Sequence, residues 1–93
     1  MPEFEWDAKK ARINVRKHGV NFEEAISVFE DQFSLTRDDP LHSDREERYI
    51  DIGLSTSGNL LVVVYTERGD RIRLISCRKA TPAEKSAYEK QKS

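Results

Sequence analysis

Residues 59–79 read NLLVVVYTERGDRIRLISCRK, and this stretch decides the fold. Its first half, Leu60 to Thr66, is apolar at nearly every position and rich in β-branched residues, which predicts a strand covered on both faces. Arg68, Gly69 and Asp70 supply a turn in which Gly69 can adopt a positive φ. The second half alternates between apolar and polar residues. We therefore predict a β-hairpin whose arginines leave the core and form a scaffold for an anion.

The arginines of the second strand are the main candidates for binding that anion. Planar guanidinium groups match phosphate oxygens, and Arg73 and Arg78 are the cations that we expect to contact it. One side of the strand would carry Ile72, Leu74, Ser76 and Arg78, and the other Arg71, Arg73, Ile75 and Cys77. Arg73 and Arg78 therefore reach one site only if a bulge or the twisted end of the strand turns Arg78. The structural alternative for either is a salt bridge to Glu47 or Asp51.

Two helices are predicted before the hairpin from their capping residues. The first follows Asp7 as its N-cap and ends at Gly19, a left-handed residue, with an apolar stripe at Ala8, Ala11 and Val15. Asn21 caps the second helix, in which apolar residues recur at helical spacing, namely Phe22, Ala25, Ile26 and Phe29. Both helices thus present an apolar face for packing against a sheet.

The remaining elements are two strands and a third helix. Residues 33–37 predict a short strand, residues 38–46 a polar loop, and residues 48–54 a strand with clean alternation. The last helix starts at a capping box in Thr81-Pro82-Ala83-Glu84. Its apolar cover is small, consisting of Ala83, Ala87 and Tyr88. We expect this helix to lie loosely on the surface, with Tyr88 as its anchor.

The order of these elements predicts the fold class. Two helices, a short strand, a three-stranded meander and a final helix make an α+β domain of two layers, with an antiparallel sheet and the helices on one face. At 93 residues the chain predicts one small domain, and 35% charged against 37% hydrophobic residues predict a thin core. One cysteine excludes an internal disulfide and favours a reducing cytoplasm. No apolar run reaches the roughly 20 residues of a membrane span, and no zinc-ligand spacing occurs.

Charge is unevenly distributed along the chain. Residues 8–18 carry five lysines and arginines and no acid, residues 21–51 carry ten acids and three arginines, and the part from Arg68 onward carries eight basic and three acidic residues. The basic ends form one basic face if they meet in space. A surface of mutual salt bridges fits the same distribution, and charge by itself leaves both open.

Several spaced motifs together resemble a known family. They are FEWD at 4–7, KHG at 17–19 followed by the Phe22 helix, HS at 42–43 with EER at 46–48, and ERGDRIRLISCRKAT at 67–81. This set resembles the BrnT toxins of type II toxin–antitoxin systems over residues 4–88. The resemblance implies a RelE-like fold with helix-helix-four strands-helix order. It also implies a ribonuclease that arrests translation and is neutralised by a ribbon-helix-helix antitoxin.

Metal-free cleavage of RNA needs a base, an acid and cations, and the residues offer candidates for each. His18 is the main proton-transfer candidate because imidazole titrates near neutrality, and Lys17 lies beside it. Glu47 is a candidate base or orienting group, and Arg48, Arg73 and Arg78 are candidate phosphate ligands. We expect further RNA contacts from Lys9, Arg12, Arg16 and Arg71. His42, Glu47 and His18 all remain open as the proton-transfer group, and His18 and His42 also have plain structural interpretations.

Three function classes remain open at this level. The first is a ribonuclease toxin that needs no cofactor or metal, the second a non-catalytic module that binds nucleic acid, and the third a protein whose basic face docks an acidic partner. The expected partners are RNA and a ribbon-helix-helix antitoxin, as two toxins with two antitoxins. DNA contact is expected only through that antitoxin, and membrane contact is not expected.

Overall fold

The structure is a computed structural model that describes residues 2–39 and 46–93. It contains strands β1 (Glu3–Glu5), β2 (Leu35–Asp38), β3 (Arg48–Leu54), β4 (Leu60–Arg68) and β5 (Arg71–Lys79). The helices are α1 (Ala8–His18), α2 (Phe22–Ile26) and α3 (Pro82–Lys92), and α2 continues as a 3₁₀ turn over Ser27–Glu30. The predicted hairpin, the strand over 48–54 and all three helix starts are therefore confirmed. The predicted strand at 33–37 begins at Leu35 instead.

The five strands form one mixed sheet in the order β1-β5-β4-β3-β2. The strands β2 to β5 are antiparallel neighbours, as predicted. The prediction of a purely antiparallel sheet is wrong, because β1 adds to β5 in parallel and pairs Glu5 with Arg73. Three residues with two glutamates carry no strand signal of their own, so only the pairing with β5 makes β1 a strand.

The strand β4 separates two cores and is covered on both faces, as its apolar run predicts. Leu61 and Val63 pack with residues of α2 and the 3₁₀ turn in the first core. Val62, between them in sequence, packs in a second core with Ile52 of β3 and Tyr88 of α3. Because successive strand residues face opposite sides, the two cores lie on opposite faces of the sheet. The prediction that all helices lie on one face is therefore wrong.

A β-bulge in β5 changes which side chains share a face. Val64 pairs with Ser76, whereas its neighbour Tyr65 pairs with Leu74, so Ile75 is one extra residue in β5. Leu74 and Cys77 consequently both enter the first core. The prediction of strict alternation along β5, which puts Leu74 and Cys77 on opposite faces of the sheet, is therefore wrong.

The packing of the two longer helices agrees only in part with the prediction. In α1, Asp7 accepts the Lys10 N–H and Gly19 has φ 71°, as predicted, but Val15 is exposed and the buried residue is Asn14. In α3, Tyr88 is the predicted anchor, since it is buried and its hydroxyl donates to Asp31 at 2.7 Å. Gln91 also donates to the Phe33 carbonyl. Tyr88 is the one buried residue of α3, so the helix lies on the surface as expected, and polar contacts supplement its small apolar face.

Candidate functional site

Three of the predicted arginines share one face of the sheet, and the bulge is what brings Arg73 and Arg78 to the same side. Arg48 of β3 pairs with Thr66 of β4, and Thr66 pairs with Arg73 of β5, so these three form one cross-strand row. Neighbouring strands lie about 4.8 Å apart, which separates the ends of the row by about 10 Å. Arg78 pairs with Val62 and, beyond the bulge, points to that same face. We call the face with Arg48, Arg73 and Arg78 the arginine face.

Arg73 is held by a residue that sequence reasoning missed. Its Nη1 lies 2.8 Å from Oε2 of Glu5, the residue beside it in the parallel β1–β5 pair. Arg71, which is exposed, lies 3.3 Å from Glu3 and 3.5 Å from Glu5. The hydrogen bond from Arg73 lowers the pKa of Glu5 despite partial desolvation. The structural alternative, a salt bridge from Arg73 to Glu47 or Asp51, is therefore right in the kind of contact but wrong in the partner.

Arg78 has a different carboxylate partner at the start of α3. Its two terminal nitrogens donate to the two oxygens of Glu84 at 2.7 and 2.8 Å, which is a bidentate pair. The hydrogen bond from Arg78 is the main cause that lowers the pKa of Glu84 to about 2. Glu84 also accepts the Thr81 N–H in the capping box. The same carboxylate thus caps α3 and orients Arg78, and Arg78 pairs with neither Glu47 nor Asp51.

Glu47 and Arg48 are adjacent in sequence but serve different neighbours. The Glu47 carboxylate accepts a hydrogen bond from the Tyr49 hydroxyl at 2.8 Å, which raises the pKa of Tyr49. Within the described residues, the Arg48 Nε is buried and has no hydrogen-bond partner. A buried N–H without an acceptor costs free energy, so Arg48 carries an unsatisfied donor beside Thr66.

A groove between α1 and the bulge holds the other predicted catalytic residues. Its cavity volume is about 170 Å³. The lining residues are Lys10, Ile13, Asn14, Lys17, His18, Ile75 and Ser76. Lys17 and His18 therefore meet β5 at the bulge, between Arg73 and Arg78 in sequence. We call this feature the bulge groove.

The bulge groove depends on Asn14, which the sequence did not indicate. The Asn14 side chain donates to the carbonyls of Val20 at 2.9 Å and Cys77 at 2.7 Å, and accepts the Cys77 N–H at 3.0 Å. These bonds tie α1 to β5 where β1 no longer pairs with it. A polar residue among apolar helix positions is a weak signal, because most such residues face solvent.

The other predicted RNA contacts on α1 do not line the bulge groove. Lys9, Arg12 and Arg16 are exposed on α1. His42 lies outside the described residues. The described ranges contain no group of three or more His, Cys, Asp or Glu residues that could hold a metal ion. In those ranges no helix is long and apolar enough to cross a membrane.

Comparison with known proteins identifies the family. A family model described as the ribonuclease toxin BrnT of type II toxin–antitoxin systems matches residues 6–84. The chain belongs to the BrnT family. The resemblance seen in the spaced motifs is thereby confirmed, and membership implies an RNA substrate and an antitoxin protein partner. No curated protein matches the chain.

The fold agrees with that of a solved BrnT protein. The crystal structure of the Brucella abortus ribonuclease toxin BrnT superposes with a TM-score of 0.65 at 23% sequence identity. The match covers 87% of this chain and 99% of the Brucella chain. The α+β class with a mixed five-stranded sheet is therefore that of the BrnT fold.

Proposed function

We propose that this BrnT toxin is an endoribonuclease that uses the ribose 2′-hydroxyl as its nucleophile and needs no metal ion. The observation that carries the proposal is the bulge in β5. It turns Arg73 and Arg78 to one face of the sheet and lies at the groove that holds Lys17 and His18. The arginines lie on the face of Val62, whereas α1 packs against the first core on the other face. The cations and the proposed proton-transfer group thus approach one short stretch of β5 from its two sides.

The proposed reaction is an internal transfer at phosphorus. The 2′-oxygen attacks the adjacent phosphodiester and loses its proton to a base, a pentacoordinate phosphorane forms, and the bond from phosphorus to the 5′-oxygen breaks. The leaving 5′-oxygen takes a proton from an acid. The products are a 2′,3′-cyclic phosphate and a 5′-hydroxyl, so no oxidant, reductant or external nucleophile is consumed.

Each predicted residue has a role in this scheme. His18 transfers protons, with Lys17 beside it as a cation, while Arg73 and Arg78 bind the phosphorane oxygens. Arg48, which pairs with Thr66, supplies a further cation on the arginine face. Glu47 is the alternative base, and Lys9, Arg12, Arg16 and Arg71 bind the RNA backbone. Support comes from the ion pairs with Glu5 and Glu84, which pre-orient Arg73 and Arg78 before substrate binds.

The cellular consequence that we propose is arrest of translation through cleavage of mRNA. A ribbon-helix-helix antitoxin then neutralises the toxin by covering the cationic site. Because such antitoxins dimerise through their DNA-binding half, we expect an assembly of two toxins and two antitoxins. Contact with DNA would then pass through the antitoxin alone.

Cleavage of purified RNA in excess EDTA tests this mechanism. We expect cleavage to persist and the products to carry 2′,3′-cyclic phosphates, detected by end-group analysis. A control digestion with added Mg²⁺ should give the same products at a similar rate. Loss of cleavage in EDTA, or a 5′-phosphate end, would contradict the mechanism. Binding of RNA without cleavage would favour the non-catalytic module instead.

A further inference from the structure

The bulge groove has the size and lining of a pocket for one side chain. Its volume of about 170 Å³ is below the roughly 300–1,000 Å³ of pockets that enclose drug-sized ligands. A cavity of about 150 Å³ holds one benzene-sized group. The floor is aliphatic, formed by Ile13 of α1 and Ile75 at the bulge. The side chain of Asn14 gives no specificity there, because its hydrogen bonds to Val20 and Cys77 already occupy its amide.

The rim of the groove is cationic, and within the described residues its lysines form no ion pairs. Lys10 and Lys17 line the groove, and α1 carries five lysines and arginines with no acid. Within the part of the chain that the structure describes, none of these five side chains makes an ion pair. The arginines of β5, in contrast, pair with Glu5 and Glu84. Like charges three or four residues apart destabilise a helix, so α1 retains charges that work against its own stability.

Ile13 combines with these charges into a surface that suits an acidic peptide. It is 47% exposed, one of the three large apolar residues that the described ranges leave exposed. An aliphatic anchor in the groove would cover Ile13, and carboxylates beside that anchor would meet Lys10 and Lys17. A nucleobase fits less well, because bases stack on aromatic side chains, and the one aromatic ring among the lining residues is that of His18 at the rim.

We infer that the bulge groove receives one aliphatic side chain from an acidic segment of the antitoxin. The identity of that partner rests on the proposed function, whereas the chemistry of the segment follows from the groove. Since Lys17 and His18 form part of the rim, the segment would cover the proposed proton-transfer residue. Neutralisation then follows from occupying the groove, without imitation of RNA.

Binding kinetics with the full-length antitoxin encoded by the neighbouring gene test this inference. The Ile13→Ser variant should dissociate at least about tenfold faster, because one aliphatic side chain loses its buried partner. The matched control is Val15→Ser. Val15 is equally exposed at 47%, lies on the same helix and does not line the groove, so its dissociation rate should change less than about twofold.

The rim is tested by Lys17→Ala and by salt. We expect Lys17→Ala to slow association, and a rise in salt to slow association of the wild type far more than it speeds dissociation. Equal effects of Ile13→Ser and Val15→Ser on dissociation would overturn the inference. So would a wild-type association rate that ignores salt. If Ile13→Ser binds RNA more weakly but binds the antitoxin as the wild type does, the groove is a site for RNA and the inference is overturned.

The inference and the proposed function fail in different ways. Cleavage of RNA by the wild-type chain together with groove-independent antitoxin binding would leave the proposed function standing and remove the inference. An inactive wild-type chain whose antitoxin binding still depends on Ile13 would do the reverse. Both assays use the same purified full-length chain, with circular dichroism confirming that each variant is folded.

Discussion

The side-chain amide of Asn14 hydrogen-bonds both backbone polar groups of Cys77. Its Nδ2 donates to the Cys77 carbonyl at 2.7 Å, and its Oδ1 accepts the Cys77 N–H at 3.0 Å. Asn14 thereby gives the N–H and carbonyl of Cys77 the hydrogen-bond partners that a neighbouring strand would supply, at a point of β5 that β1 does not reach. This contact attaches the cationic helix α1 to the strand that carries Arg73 and Arg78.

We predict that Asn14→Ala lowers the free energy of unfolding by about 2–4 kcal/mol, because it leaves buried groups of Cys77 and Val20 without partners. Alanine is the better helix former, so helix propensity opposes this loss. Urea unfolding measures it. Val15→Ala, an exposed change on the same helix, should stay within about 0.5 kcal/mol of the wild type. An Asn14→Ala variant as stable as that control would contradict the role given to Asn14.

For the arginine face, we predict that Arg73→Ala and Arg78→Ala each abolish toxicity while the fold persists. Loss of a contact to the phosphorane raises the barrier by about 2–4 kcal/mol, whereas loss of a partly exposed ion pair costs about 1 kcal/mol of stability or less. Growth arrest on induced expression and RNA cleavage by the purified variants measure this. Arg68→Ala is the control, since Arg68 is 52% exposed and lies 3.5 Å from Glu46.

Three outcomes separate the roles of these arginines. Glu84→Gln removes the charge partner of Arg78 but keeps the guanidinium, so it should retain far more activity than Arg78→Ala. If the Arg78→Ala variant stays toxic while the Arg73→Ala variant is harmless, Arg78 does not share a site with Arg73, although both lie on one face of the sheet. Full toxicity of both alanine variants at normal expression would refute the assignment of the arginine face.

The pair of Glu84 and Arg78 predicts a pH dependence of stability. The hydrogen bond from Arg78 lowers the pKa of Glu84 from 4.5 to about 2 on folding. A carboxyl group whose pKa is lowered on folding stabilises the folded state at every pH above its pKa in the unfolded chain. For Glu84 this stabilisation is lost as the pH falls from about 4.5 towards 2. Thermal unfolding across this range should therefore be steeper in pH for the wild type than for Glu84→Gln. An equal slope of unfolding temperature against pH for the wild type and Glu84→Gln would contradict the prediction. The control is Glu89→Gln, a change at an exposed residue of α3.

Cys77 should be unreactive in the folded chain. Burial, with a smaller contribution from Glu24, raises the pKa of its thiol to about 12, and the residue is fully buried. Because the thiolate is the reactive form, a thiol reagent at neutral pH should modify Cys77 only after unfolding. Mass spectrometry with and without denaturant measures this. Modification of the native chain at the rate of the denatured one would show that the first core opens readily.

Local patterns in the sequence predicted the elements but not all of their partners. Asp7, Asn21 and Thr81 cap their helices as expected, because a cap involves residues only three positions apart. The apolar run of β4 correctly predicted a strand covered on both faces. The anchor role of Tyr88 was also predicted, but its bond to Asp31, 57 residues away, was not. Which of the candidate residues catalyse stays a prediction.

The sequence by itself determined the family, the α+β class, the central hairpin and the basic character of α1. Only the tertiary structure decided which charged groups meet. The bulge at Ile75 arises because Tyr65 pairs with Leu74 and Val64 with Ser76, and it puts Arg73 and Arg78 on one face against strict alternation. The partner of Arg73 is Glu5, 68 residues away, through a strand that exists only by pairing with β5. Alternation and capping act over a few residues, whereas register and ion pairing depend on how distant segments fit together in the folded chain.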